Sequence, residues 1–571
     1  VVSEHGPVGV YFPRAPIPRH LFVWAPRRHR PARKMCGIFA VLLADGAGQC
    51  RQEMLDGLTL QQHRGQDAAG VVTSCTSSAW TRTTFHARKD RGLVREVFSQ
   101  DNVMELQGNV GIGHVRYPTA GSKGSVQEAQ PMYVNYPCGL AFAHNGNLTN
   151  AASERKALVT QLRHLNTASD SEVLLNVFGD ELQKALAEVT DMEKKVSPEA
   201  VFKAVEGTIA RCSGGYAVVG LVHNIGVVAF RDPNGIRPLC IGRRESRSLP
   251  LGVDWAVASE SSALDVLGYT LVGDVAPGEG VLMLPMIPGR PRKNEGIYRQ
   301  LCHSSPALTP CIVEYVYFAR ADSTIDGVSV YEARLKMGER LARKIRKLHG
   351  DTLSFDVVIP VPETARACAL QCAYELGCPF REGFVVNRYI GRTFIMPEQQ
   401  TRRKGARMKL NTIKAEFEGK RVLLVDDSIV RGTTSMELVA MAKEAGAKEV
   451  YLASAAPEVR HPNVYGIDIP TKSELIATGK TADEIAERLG AGWVVYQDIA
   501  DLEDAVRSQN PNIQGFDSSI FSGKYIAGVA PGYFEPAPHT RRSQRDENDA
   551  SARERSRSRG SSTGSPAHRW K

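Results

Sequence analysis

The chain lacks any apolar run approaching the ~18 residues that a membrane-crossing helix needs, so no helical membrane span is expected. It also lacks a Cys-x-x-Cys pair. Its 11 cysteines are odd in number and scattered, which argues against a disulfide framework and fits free thiols in a reducing compartment. Cys368, Cys372 and Cys378 stand close together with no His nearby, so they read as small apolar helix residues rather than metal ligands. The middle of the chain lacks net charge. The formal +9 collects at the ends: residues 1–34 hold seven Lys or Arg against one Glu, and residues 536–571 hold nine against four acids. A nearly neutral body gives no electrostatic footprint for nucleic acid, and no nucleic-acid partner is expected. Residues 536–571 also lack apolar periodicity and read as a disordered basic tail.

Against those absences, one segment is dense with information. Val422 to Ser435, VLLVDDSIVRGTTS, runs from a short apolar, β-rich stretch through two acids to a glycine and a row of hydroxyls. Val422 to Val425 suit a strand buried on both faces. Asp426 and Asp427 fall where that strand ends. Gly432 lets the backbone turn, and Thr433, Thr434 and Ser435 offer hydroxyls and free N–H groups at the start of a helical pattern, a ready seat for phosphate. Two acids beside an anion cradle make sense if they face sugar hydroxyls or a metal ion while the helix start takes the phosphate. A phosphorylated ribose satisfies both, and the string resembles the phosphoribosyl-pyrophosphate (PRPP) motif of the type I phosphoribosyltransferases.

A second place is Met35-Cys36-Gly37-Ile38-Phe39-Ala40-Val41, where an Arg- and Pro-rich leader gives way to a buried-strand pattern. If translation starts at Met35, removal of that Met leaves Cys36 as the first residue. Its α-amino group, with a pKa of about 8, is then a base within reach of its own thiol. Further along, LQQHRGQDAAG (60–70), GHVRYPTAG (113–121), AHNGNL (143–148) and SDSEVL (169–174) each set polar groups in turns between apolar runs. Asn145 with the N–H of Gly146 suits an oxyanion, Arg116 a carboxylate and Asp170 an ammonium group.

Taken in order, these segments resemble the class II, N-terminal-nucleophile glutamine amidotransferases. That resemblance implies Cys36 as nucleophile, Asn145 and Gly146 as oxyanion hole, and Arg64, Arg116 and Asp170 around the glutamine. A glutaminase followed by a PRPP motif resembles the amidophosphoribosyltransferase family, which makes 5-phosphoribosylamine, glutamate and pyrophosphate at the entry to purine synthesis; CIVEYVYFARADS (311–323) also looks like that family. The family pattern implies PRPP contacts at Asp426, Asp427, Ser428, Arg431, Gly432, Thr433 and Thr434. It further implies one Mg²⁺ per subunit, with Thr364 of the DVVIPVPETARACA turn as a ligand beside Asp426 and Asp427. The basic stretch 387–411 reads as a lid over the polyanionic substrate, with Arg392, Arg407 and Lys409 as its foremost cations. Some relatives carry an iron–sulfur cluster on four cysteines. Here Cys311 matches one position and HPNVYGIDIPT and FDSSIFSGKY none of the others, so no cluster is expected.

The fold expectation is α/β overall with an α+β first half: an αββα sandwich, then a transferase domain with a mostly parallel sheet. The expected divisions are a leader, propeptide or misannotated upstream sequence at 1–35, glutaminase at 36–280, transferase at 281–470, a C-terminal helical extension at 471–535 and the tail at 536–571. The resemblance also implies purine-nucleotide inhibitors, a homotetramer and a cytoplasmic setting. Two other readings stand beside it. A hexosamine-phosphate synthase would need sugar-isomerase repeats, and no internal repeat is present; a non-catalytic PRPP sensor would have lost Cys36 or an acid at 426 or 427, and all three stand.

Overall fold

The computed structural model describes residues 35–76, 84–117, 126–188, 196–285, 293–350, 355–387, 410–467, 469, 471–531 and 533–534. Its first half is built from the strands Gly37–Leu42 (β1), Ala68–Ser74 (β2), His86–Arg91 (β3), Val110–Arg116 (β4), Met132–Val134 (β5), Leu140–Leu148 (β6), Gly214–Val222 (β7), Gly226–Arg231 (β8), Cys240–Glu245 (β9), Val253–Ala258 (β10), Thr270–Asp274 (β11), Glu279–Met283 (β12) and Ile297–Leu301 (β13). They form a seven-stranded sheet, β11-β9-β10-β1-β4-β2-β3, and a six-stranded sheet, β13-β12-β8-β7-β6-β5. Every pairing in the two sheets is antiparallel.

Alternation along β1 shows why the sheets stack. Ile38, Ala40 and Leu42 point into the layer shared with Ala141, Ala143, Ala217 and Val219 of the other sheet. Phe39 and Val41 point the opposite way, against Met54 and Leu58 of the helix Arg51–Leu60. The second sheet is covered outside by the helices Asp170–Ala187 and Pro198–Arg211 through Leu174, Phe178, Val201 and Val205. With side chains alternating faces at period two, a strand apolar at every position belongs between two covered surfaces. The result is the expected αββα sandwich.

The second half opens on a hairpin, Thr324–Ile325 (β14) with Val328–Ser329 (β15), and centres on a sheet of Val357–Pro360 (β16), Arg421–Asp426 (β19), Glu449–Ser454 (β20) and Val494–Tyr496 (β21); Phe384–Val386 (β17) pairs with Leu410–Thr412 (β18) beside it. The order β16-β19-β20-β21 is parallel throughout. Val358, Leu423, Ala453 and Val495 face Met337, Leu341, Cys368 and Leu502 of the helices Val330–His349, Arg366–Leu376 and Ile499–Arg507. Val357, Leu424, Leu452 and Val494 face Leu438, Val439 and Ile485 of Thr433–Glu444 and Ala482–Leu489. The first of these apolar clusters also takes in Met35 and Ile236, so the cores of the two halves run together.

Two expected divisions are corrected. The turn Pro277 to Gly280 was the expected join, yet β12 and β13 both belong to the six-stranded sheet, so the first half continues past Leu301. The turn signal was local, marking only the passage from β11 into β12. The expected helical extension at 471–535 contains β21, the fourth strand of the transferase sheet, and its helices cover that sheet. A three-residue strand is too short to show period two in a sequence. Among the described residues, no helix is long and apolar enough to cross a membrane.

Candidate active sites

Cys36 stands at the entrance to β1, and the antiparallel register of β1 with β4 sets Gly37 opposite Val115, so Arg116 and Tyr117 flank the cysteine. Its thiol donates to the Tyr117 carbonyl and accepts from the Tyr117 N–H, each at 3.5 Å. A pocket lined by Cys36, Arg116, Tyr117, Gln130, His144, Gly146, Ser169, Asp170 and Ser171 opens beside it. Burial pushes the thiol up to about 11, against the lowering effect of the Tyr117 backbone and the Arg116 charge. Met35 is fully buried, its N–H donating to the Arg64 carbonyl at 3.1 Å.

Three other expected residues meet at the pocket. Arg116 donates to Asp67 at 3.1 Å and to Glu128 at 2.8 Å. Asp170 begins the helix Asp170–Ala187, capped by Ser169, and accepts from the Leu148 N–H at 3.0 Å. Gly146 sits within β6 at φ +144, where an added Cβ would lie 2.1 Å from the Gly215 carbonyl oxygen. Only glycine fits there. Beside it, Asn145 is 1% exposed, and its Nδ2 has no hydrogen-bond partner among the described residues. A buried donor without a partner costs about 1–3 kcal/mol, and such a group in a native fold calls for an explanation.

Arg64 departs from the expected glutamine contact. It is fully buried behind Cys36 and is not among the pocket-lining residues; its Nε donates to the Cys36 carbonyl at 3.0 Å. Its terminal nitrogens reach Glu260 at 2.5 Å and Glu314 at 3.1 and 2.7 Å. Burial pulls the guanidinium down, and the two carboxylates more than offset it. The HRGQD turn had signalled a functional arginine without its direction.

The parallel sheet supplies the other site. Pro360 pairs with Val425, and the Val361 N–H donates to the Val425 carbonyl at 2.8 Å, which brings the turn holding Thr364 to the same carboxyl-end edge as Asp426. Ligands of open parallel sheets bind at that edge. The Asp427 N–H donates to Asp426 at 2.8 Å, and the Ser428 hydroxyl donates to Asp427 at 2.5 Å. Gly432, at φ +72, caps the helix Thr433–Glu444, whose first residues Thr433 and Thr434 are exposed. Arg431 pairs with Glu474 at 3.5 Å. Among the described residues no group of three or more His, Cys, Asp or Glu is placed to hold a metal ion. Two adjacent carboxylates and a hydroxyl still suit Mg²⁺, which keeps most of its waters and binds through few protein oxygens plus phosphate. Arg392, Arg407 and Lys409 lie outside the described residues.

Sequence reasoning passed over several groups. Tyr117, His144, Ser169 and Ser171 line the pocket from the same turns as the expected residues but carry no separate sequence signal, and nothing local marks Gln130. Arg334 is another: buried on the apolar face of Val330–His349, it donates to the carbonyls of Tyr315 and Ala319 at 2.9 and 2.8 Å. Burial pulls its guanidinium down to about 10, opposed by the charge of Asp427. An arginine at a position where helical spacing calls for an apolar residue was the available signal.

A thiol pocket carried by an αββα sandwich, joined to a phosphate cradle at the carboxyl edge of a parallel sheet, defines a glutamine amidotransferase fused to a phosphoribosyltransferase. Family models agree: residues 119–266 match the glutamine amidotransferase domain and residues 327–463 the phosphoribosyl transferase domain. The amidophosphoribosyltransferase of Escherichia coli is 51% identical over 507 residues, covering 88% of this chain and 94% of its own, and that of Saccharomyces cerevisiae is 48% identical over 512 residues, covering 89% and 96%. The solved glutamine PRPP amidotransferase of B. subtilis, complexed with ADP and GMP, superposes with a TM-score of 0.72 at 34% identity over 87% of this chain and 98% of that one. The chain belongs to the amidophosphoribosyltransferase family, the enzymes of the first step of purine biosynthesis.

Proposed function

We propose that this chain converts glutamine, PRPP and water to 5-phosphoribosylamine, glutamate and pyrophosphate, with ammonia passed internally between its two sites. The observation that carries the reading is a pocket lined by Cys36, Arg116, Gly146 and Asp170, with Asn145 next to Gly146 in β6 and its buried Nδ2 without a hydrogen-bond partner among the described residues. Arg116 takes the α-carboxylate of glutamine and Asp170 its α-ammonium group. The Cys36 sulfur attacks the side-chain amide, and the developing oxyanion receives the Asn145 amide and the Gly146 N–H. The C–N bond breaks, and ammonia departs with the proton the thiol gave up. Water then cleaves the thioester to give glutamate.

A thiol raised to about 11 needs a base, and its hydrogen-bonding neighbours are the backbone atoms of Tyr117. The α-amino group of Cys36 serves once Met35 and the residues ahead of it are removed. In the second site, Gly432, Thr433 and Thr434 seat the 5-phosphate, Asp426 and Asp427 face the ribose hydroxyls, and Ser428 and Arg431 flank them. Mg²⁺ held by Asp426, Asp427 and Thr364 would neutralise the departing pyrophosphate. Arg392, Arg407 and Lys409, which lie outside the described residues, are the proposed cations for the polyanionic donor. Ammonia is nucleophilic enough to complete the substitution unaided. All 11 cysteines are free, which supports a reducing, cytoplasmic setting. Purine nucleotides are the proposed feedback inhibitors, as the ADP and GMP of the B. subtilis relative suggest, and a homotetramer the proposed assembly.

The test separates the half-reactions. Cys36→Ala should abolish glutamine-dependent synthesis and keep synthesis from free ammonia, while Asp427→Ala should lose both. A Cys36→Ala protein that still uses glutamine at the normal rate would overturn the assignment.

A further inference from the structure

The edge strand β3 sets Lys89 opposite Gly70 of β2. Gly70 leaves a notch in the sheet: a Cβ there would lie 2.1 Å from the Gln130 carbonyl oxygen, so the backbone of Gln130 lies directly against the strand. Lys89 reaches over the same spot, its Nζ donating to the Ala129 carbonyl at 2.7 Å and the Pro131 carbonyl at 3.1 Å. Those two carbonyls flank Gln130 in the chain. A half-buried ammonium therefore clamps 129–131 into a glycine notch, and neither half-reaction assigns that lysine a role.

The clamped segment carries groups that hold the pocket at both ends. Glu128, which closes the 3₁₀ turn Val126–Glu128 and is 2% exposed, accepts from Arg116 at 2.8 Å. Gln130 lines the pocket; its Oε1 accepts from the His144 N–H at 2.7 Å and its Nε2 donates to the Ser171 hydroxyl at 2.9 Å. Ser171 follows Asp170 in the first turn of the helix Asp170–Ala187. One lysine thus stands behind Arg116 through Glu128, and behind Asp170 through Gln130 and Ser171. The Cys36 thiol is held separately, by the Tyr117 backbone.

We propose that Lys89 is a positioning residue for the α-amino-acid end of glutamine, fixing the segment 128–131 so that Arg116 and Asp170 keep the spacing of a single zwitterion. The inference rests on Cys36, Arg116 and Asp170 as the glutamine contacts, and it names what sets their selectivity. Without the clamp the segment is free to leave the notch. Glu128 then no longer fixes Arg116, and Gln130 no longer ties the helix start to β6. Both charges remain, but their mutual geometry is lost, while the thiol keeps its own support.

The experiment compares the full chain with Lys89→Met, which keeps the aliphatic stem and removes the ammonium, and with Lys89→Arg, which can still donate to both carbonyls. In Lys89→Met the KM for glutamine should rise about tenfold, the worth of one charge-assisted hydrogen bond, with kcat within about threefold of the parent. Two thiol reagents separate positioning from general damage, read as loss of glutamine hydrolysis. A diazoketone analogue bearing glutamine's α-amino and α-carboxylate groups should inactivate Lys89→Met about tenfold more slowly than the parent, for the same lost contact. Iodoacetamide, which has neither group, should act at the parent rate. Lys89→Arg should recover most of the parent KM, and ammonia-dependent synthesis should persist in both variants. An unchanged KM in Lys89→Met, equal slowing by the two reagents, or no recovery in Lys89→Arg would overturn the clamp. If Lys89→Met fails to fold, Glu128→Gln decides with the same reagents, since it should slow the diazoketone alone. An Arg116→Lys protein with the parent KM would instead defeat the reading on which the clamp rests.

Discussion

Asn145→Ala separates a catalytic role from a structural one because its two effects have opposite signs. Loss of one oxyanion donor lowers turnover by about 10²–10³-fold, or roughly 2.7–4 kcal/mol of transition-state stabilisation. In the resting protein the same change removes a donor that is buried and without a partner among the described residues. Relief of that penalty is worth about 1–3 kcal/mol, against roughly 1 kcal/mol of lost packing for the few atoms removed. The unfolding free energy should therefore hold or rise while glutamine turnover collapses. Glutamate release, ammonia-dependent synthesis and denaturant unfolding read the three quantities. Turnover within tenfold of the parent would remove Asn145 from the oxyanion hole, and loss of stability with loss of both activities would make it a packing residue.

Gly432→Ala should destabilise the chain by roughly 2–4 kcal/mol, because φ is +72 and the new Cβ would lie 2.2 Å from the buried Ile476 side chain; a guanidinium melt and the loss of both glutamine- and ammonia-dependent synthesis check it. The Cys36 thiol, raised from 9.0 to about 11 by burial, titrates later folded than unfolded. Its contribution to stability is complete below pH 9 and declines as pH rises towards 11, by up to about 1.4 kcal/mol per pH unit. Unfolding at pH 8 and 10.5, parent against Cys36→Ala, should show a larger drop in the parent. Chelation of divalent metal should stop synthesis from either nitrogen source, and added Mg²⁺ should restore it.

Much of the architecture was legible because both halves use covered sheets. Val422 to Val425 read as a buried strand from four apolar residues and proved to be the centre of β19. The acids after it and the glycine before Thr433 fell at the sheet edge and helix cap by chain order alone. Local signals misled where they had no sense of sheet membership. The Pro277 to Gly280 turn looked like a border and lies inside a sheet, and β21 was too brief to show a period. Arg64 illustrates the same limit within a site: residue type and turn were visible, but its direction depends on Glu260 and Glu314, far along the chain.

The merged core bears on how such enzymes can be rebuilt. Gly466 of the second half presses on Gly146, where any Cβ would fall 2.8 Å from its backbone, and Asn147 donates to the Val464 carbonyl at 2.8 Å. The floor beneath the strand that carries Asn145 and Gly146 is therefore supplied by the second half. Gene fission between the halves would strip that floor and bare shared apolar surface, so neither fragment is an independent module. Grafting this glutaminase onto a different nitrogen acceptor requires the newcomer to present a side-chain-free backbone at the same spot.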